Sequence, residues 1–358
     1  MTWLIQHGNE AIRYRALADL GPAGSAGADV LEQASQAVMA SKSAGAIIKK
    51  QKENGAWAAN LLGLAPSATA GIKDVGTIPQ YRRLVQIGYP RSGRPFKLAD
   101  RLLFRILSRD EDPGLLFEYQ KAAKENPAHA EWLRDYLREA ATCALAEAGY
   151  MEDPRIRGSA HKIATSVSTF LRSPLAEKPL VKAGKGMVLH PEAHPPTWYS
   201  LAMVAALPNL QRERAGFTER LGQYLGMPAP KKAFTIAVGK KNLKPDMVLL
   251  GCPISADAKG HATDVPLALH FIELLARLKA VHTSTVATRV LARLFAECDE
   301  NGIWHPHNLR VSPKATHKVS YHAWPLQDEV KSVEGRAVDV TFRLALIARL
   351  MGLQVEVV

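Results

Sequence analysis

Gln51-Lys52-Glu53-Asn54-Gly55-Ala56-Trp57 and Cys298-Asp299-Glu300-Asn301-Gly302-Ile303-Trp304 each follow an apolar helical stretch, near opposite ends of the chain. Both place Asn directly before Gly and Trp two residues after it. Asn-Gly supplies a left-handed turn and a missing Cβ, so a helix has to end there. The Trp then folds back as a large apolar anchor between neighbouring helices. Two such turns in one chain predict an architecture of repeated helical hairpins.

The rest of the chain has the same punctuation. Asn9 is placed to cap a helix over 10–20, and Val30, Leu31, Val38, Ile47 and Ile48 mark a second helix that runs up to the first Asn-Gly turn. Thr77 and Pro79 open another, followed by an amphipathic helix from about Phe96 to Leu107. Asp153-Pro154 is a cap followed by proline at the first helical position, opening a helix to about Leu171. Further helices are predicted near 114–124, 128–148, 197–207, 210–225, 264–279, 283–298 and 337–352. Residues 174–196 read as loop, and 233–250 as a small β-hairpin. The expectation is one all-α domain over 1–358, because no linker divides it.

Of 358 residues, 47% are hydrophobic, enough for a large core, and only 7% are aromatic. The three cysteines, Cys143, Cys252 and Cys298, have neither the pairing of a disulfide framework nor the spacing of a metal knuckle. The first ten residues carry no basic segment leading into an apolar one, and no apolar run reaches the length of a membrane span. A cytoplasmic location is expected, with no cofactor and no metal. The formal net charge of +12 leaves two readings open: a solubilising basic surface, or attraction to a polyanion.

Gln51-x3-Gly55-x-Trp57 resembles the Gln-Trp repeat of squalene-hopene and related triterpene cyclases; in the second copy Cys298 stands where the Gln belongs. Asp153-Pro154-Arg155-Ile156 is similar to a helix junction of the same superfamily, and the two chain ends resemble those of bacterial squalene-cyclase-like repeat proteins. The resemblance implies an α/α toroid, with inner helices around a central cavity and outer helices around them. A HEAT-like α-solenoid is the competing all-α arrangement. The family's chemistry is not carried over with the fold. The Asp-x-Asp-Asp proton donor and the Asp-Asp-x-x-Asp metal motif are both missing, and Asp110-Glu111-Asp112-Pro113 reads as a helix start.

Several residues remain as candidates for a cavity. Imidazole works as acid or base near neutral pH, which singles out His305 and His322 in a His- and Trp-rich stretch that also holds His307, His317 and Trp324. Trp198 and Tyr199, which follow Thr197 at a helix start, and Trp324 are candidate ligand-binding aromatics, while Asp264 is either a cavity acid or a helix cap. For nucleic acid the candidates are Arg82, Arg83, Arg94, Lys97, Arg101, Arg105, Lys240 and Lys241. Lys97, Arg101 and Arg105 recur at i, i+4, i+8 and would form one stripe able to track phosphates. The expected function is therefore small-molecule binding in a central cavity, with or without catalysis, and the alternative is nucleic-acid binding by a basic surface. The catalytic residues and the oligomeric state are left open by the sequence.

Overall fold

The computed structural model of the chain describes residues 1–21, 27–57, 60–62, 76–108, 115, 116, 120, 124, 127–184, 186–238, 241–306, 325–327 and 333–353, with backbone alone at 127–129, 238, 241, 333, 334 and 336. Its helices are α1 (Thr2–His7), α2 (Glu10–Asp19), α3 (Ala28–Ala40), α4 (Lys42–Ile48), α5 (Thr77–Gln86), α6 (Arg94–Ser108) and α7 (Pro127–Glu147). They continue with α8 (Pro154–Leu171), α9 (Trp198–Ala206), α10 (Pro208–Glu213), α11 (Ala215–Gly226), α12 (Val265–Arg277), α13 (Thr285–Ala296) and α14 (Val333–Leu350). The strands are β1 (Leu180–Ala183), β2 (Gly186–Leu189), β3 (Phe234–Val238) and β4 (Lys241–Leu243). The chain is thus mostly helical, and no described helix is long and apolar enough to cross a membrane.

Local chemistry accounts for the helix boundaries. Asn9 Oδ1 accepts from the Ile12 amide at 3.0 Å, and Asp153 Oδ1 from the Arg155 amide at 2.9 Å ahead of Pro154. The stretch expected as one helix up to Ile48 is two. Ser41 breaks it, because its hydroxyl donates to the Val38 carbonyl (2.7 Å), closing α3, and accepts from the Ala44 amide (3.2 Å), opening α4.

The two Asn-Gly turns have the same build. Gly55 and Gly302 sit at φ 87° and 72°, and Gln51 bridges Trp57 as Cys298 bridges Trp304, each as an isolated antiparallel pair. The Trp57 amide donates to Thr77 Oγ1 (3.0 Å) and the Trp304 amide to Thr341 Oγ1 (3.1 Å), so each turn is pinned to a following helix, α5 or α14. Both indoles are buried. Each buries apolar area worth about 3 kcal/mol at the usual transfer coefficient.

The expected hairpin near 233–250 is present as β3–β4, with Ile236 opposite Leu243. The stretch 174–196 is a correction: it contains a second hairpin, β1–β2, with Leu180 opposite Leu189, and β2 pairs in parallel with β3 to give the order β1-β2-β3-β4. The Pro and Gly around it hid the short apolar runs Leu180-Val181 and Met187-Val188-Leu189. Gly184, at φ 58°, makes the turn.

Packing between helices sorts them by role. Helices α9 and α12 are buried on almost every face, as expected of central elements. By contrast α6 buries Phe96, Ala99, Leu102, Leu103 and Ile106 and exposes Lys97, Arg101 and Arg105. Helix α7 packs on α5 and α9, α9 on α12, α12 on α14, and α14 on both α1 and α2. The chain ends are stitched side chain to backbone. Asn9 Nδ2 donates to the Leu326 carbonyl (2.9 Å), Gln327 Oε1 accepts from the Asn9 amide (2.9 Å), and Arg349 reaches the Leu20 carbonyl.

Candidate functional site

Six helices bring their C-terminal halves to one cavity of about 570 Å³. Its lining includes Tyr14, Arg15 and Asp19 of α2, Val85 and Gln86 of α5, Ala146 and Glu147 of α7, Ala202, Ala205 and Ala206 of α9, His270, Glu273, Leu274 and Arg277 of α12, and Phe342 and Arg343 of α14. Tyr89 and Arg91, just beyond α5, also line it. Among its apolar residues the lining carries seven ionisable residues of Arg, Asp and Glu type plus a histidine.

Most of those charges hold one another. Arg15 pairs with Asp19 and donates to the Gln86 carbonyl (2.6 Å). Arg277 donates to Glu273 (2.8 Å), and Arg343 bonds Asp339 (2.9 Å) and approaches Glu273 at 3.8 Å. Glu147 receives both Nε and Nη2 of Arg82, each at 2.6 Å. Burial raises Glu273, but Arg277, Arg343 and Arg15 outweigh it and hold the carboxyl at about 2. The arginines also offset the negative ends of the converging helices, an effect confined to the last turn.

Two groups stand apart from these pairs. Arg91, exposed at the rim, lies over the Tyr150 ring at 4.5 Å and has no carboxylate within salt-bridge distance among the described residues. His270 stacks on Trp198 (5.7 Å, 22°) and is buried. Desolvation takes its imidazole down to about 3, the field of Arg82, Arg343 and Arg277 adds to that, and Glu273 opposes only partly. At neutral pH His270 is therefore an uncharged donor and acceptor on the cavity wall.

The predicted site residues divide clearly. Trp198 and Tyr199 are buried core and line no described cavity: Trp198 backs His270, while Tyr199 lies beneath the Arg82 guanidinium (5.6 Å). Asp264 is a helix cap, its carboxylate accepting from the Leu267 amide at 3.0 Å. His305 is exposed and bonded to Asp299 Oδ2 at 2.8 Å, outside the cavity. His322, Trp324 and Lys240 lie outside the described residues, and Lys241 is described by backbone alone in β4.

Arg82 requires a correction: it is fully buried against Glu147, so no nucleic acid can reach it. Arg83 is half-buried, whereas Arg94, Lys97, Arg101 and Arg105 are exposed. Sequence reasoning missed His270, Glu273 and Arg277. Their signal was present: three polar residues at i, i+3, i+7 in Val265–Arg277, an otherwise apolar helix.

Among the described residues no three His, Cys, Asp or Glu side chains are grouped to hold a metal ion. No family model, curated protein or solved structure matches the chain.

Proposed function

We propose that the chain is an α/α toroid whose cavity, between the C-terminal ends of its inner helices, binds a small organic acid. Two observations support the toroid: α2, α5, α7, α9, α12 and α14 line one cavity with the same end, and α14 packs back on α1 and α2. A solenoid has no reason to bring its last helix to its first.

The ligand class follows from the charges. A hydrocarbon of the triterpene kind would strip water from ionised Glu273, Arg277 and Arg343, at several kcal/mol for each ion. The paired ions have little left to offer, so Arg91 selects the ligand's charge and its partner is a carboxylate or phosphate. Ala202, Ala205, Ala206 and Leu274 face the ligand's apolar body, and His270, Tyr14 and Tyr89 give it hydrogen bonds. The observation that carries this reading is a rim cation, Arg91, that rests on the Tyr150 ring with no carboxylate at salt-bridge distance among the described residues, above a cavity whose inner charges are paired with one another.

Calorimetry with phenylacetate, phenyl phosphate and the neutral phenylacetamide tests it. Both anions should bind at least about tenfold more tightly than the amide, the worth of making one hydrogen bond charge-assisted. Arg91→Gln should erase that difference. Equal binding of acid and amide, or binding of prenyl hydrocarbons alone, overturns the reading.

A second reading rests on the exposed stripe of Arg94, Lys97, Arg101 and Arg105 on α6. If all four contact phosphates, duplex DNA binding falls with salt at a logarithmic slope of about −3 to −4. Lys97→Glu with Arg101→Glu should cut that slope by about half; an unchanged slope removes this reading.

A further inference from the structure

A second cleft, of about 590 Å³, lies at the other end of the same central helices, where α9 begins. Its α7 wall presents Trp132, Tyr136 and Glu139 at i, i+4 and i+7, one face of the helix. The Trp132 and Tyr136 rings are nearly parallel, 17° apart with centroids at 5.5 Å. Glu139 is half-buried beside the Thr197 and Ser200 hydroxyls, which are themselves locked in the capping box that starts α9. None of these residues lines the first cavity.

The charges around Glu139 come from each facing element. Its own helix contributes Glu131, Asp135 and Arg138, and Arg138 is held by Asp135 at 2.8 Å. Helix α8 contributes Lys162 and the segment before α9 contributes His194, while β3 at Ile236 and Ala237 and the segment after β4 at Met247 and Val248 are apolar. Among the described residues of the wall, with Glu139 ionised, three carboxylates (Glu131, Asp135 and Glu139) face the cations Arg138 and Lys162, with His194 beside them. Tyr136 is buried between Trp132 and Tyr199, whose ring meets it at 5.4 Å, so the half-buried Trp132 indole is the ring that, together with the desolvated carboxylate, recognises an organic ammonium group.

We propose that this cleft is a second binding site, that its ligand is a small organic cation such as a quaternary ammonium, and that Glu139 exchanges its proton for that cation. The exchange balances simply: the Glu139 carboxyl releases H⁺ to solvent, and the resulting carboxylate pairs with the ligand's positive charge. Desolvation, assisted by Asp135 and opposed by the Thr197 and Ser200 hydroxyls, holds the empty site's Glu139 at about 7, so the proton is present near neutrality and readily displaced.

The probes are choline and its neutral carbon isostere dimethylbutanol, titrated calorimetrically in buffers of different ionisation enthalpy. Choline should bind with release of close to one proton at about pH 6 and of about one-tenth of a proton at about pH 8, the fraction of Glu139 still protonated in the empty site. It should bind about tenfold more tightly at about pH 8 than at about pH 6, as the ionised fraction of Glu139 rises from about one-tenth to nine-tenths. Glu139→Gln, which mimics the protonated side chain, should fold normally, bind choline more weakly and lose the pH dependence. Trp132→Ala should weaken choline while leaving proton release per bound ligand unchanged. Arg91→Gln should leave choline binding as it is, which separates failure here from failure of the organic-acid cavity. The proposal is overturned if choline does not bind, if dimethylbutanol binds as well, or if affinity in the wild type does not change with pH.

Discussion

Arg82 is where a surface reading and a core reading of one residue part. In sequence it opens a basic hairpin; in the fold its guanidinium is buried and doubly bonded to Glu147, and Nη1 has no hydrogen-bond partner among the described residues. Glu147→Ala strands that charge, and urea unfolding should register a loss of about 3–5 kcal/mol. Arg82→Met combined with Glu147→Leu should recover most of it; an equal loss in the double variant would mean the pair is not what holds this region. His270 gives a pH signature of known sign. Its folded value near 3 lies below the ordinary 6.5, so the stability of keeping it neutral is complete above 6.5 and drains away as pH falls toward 3. Glu273, at about 2 against 4.5, acts in the same direction at lower pH. Glu139, raised to about 7, acts oppositely between 4.5 and 7, because its protonated form is the favoured one there. The stability gap between wild type and His270→Gln should therefore narrow between about pH 7 and about pH 5; a constant gap would place His270 in contact with water. These buried ions were hard to read from sequence because a charged residue in a helix is normally on its solvated face, and their partners come from helices far away in the chain.

At the scale of elements, turns and caps were the most legible features. Asn-Gly, Asp-Pro and Thr197 each act through atoms within a few residues, so sequence alone carries their meaning. The two Asn-Gly turns nevertheless differ in what surrounds them. A Cβ on Gly55 would sit 2.4 Å from the Leu98 carbonyl oxygen of α6, whereas one on Gly302 meets nothing within 4 Å. Gly302→Ala should cost about 1–2 kcal/mol, the strain of a left-handed alanine. Gly55→Ala should cost clearly more, since a backbone carbonyl has to move as well. Thermal unfolding compares the two, and equal losses would mean that α6 does not sit against the first turn. Gln51 explains the close approach: its Nε2 donates to both the Gly55 (3.1 Å) and Pro95 (2.9 Å) carbonyls, tying turn to helix. The Cys298 thiol in the second turn donates to Leu294 of the preceding helix at 3.5 Å, and among the described residues it makes no tie to another helix. The β1–β2 hairpin was missed because four-residue strands carry too little periodicity to stand out from a Gly- and Pro-rich background.

Across the whole molecule, helicity and the succession of hairpins could be read directly, whereas the meeting of chain ends could not. The Asn9–Leu326 and Arg349–Leu20 bonds link positions more than 300 residues apart, and no local pattern announces them. The cavity inherits that difficulty, being assembled from one or two turns of each of six helices. Helix ends that converge this way concentrate negative dipole, and Arg15, Arg277 and Arg343 answer it while Arg91 lies at the rim over the Tyr150 ring. On the proposed reading, this arrangement suits an organic acid rather than a hydrocarbon. A crystal structure of the protein grown with phenylacetate tests this directly. Ligand density in the cavity, with its carboxylate against Arg91 and its ring among Ala205, Leu274 and His270, is the expected result; phenylacetate bound only elsewhere, or a cavity closed by its own side chains, would contradict it.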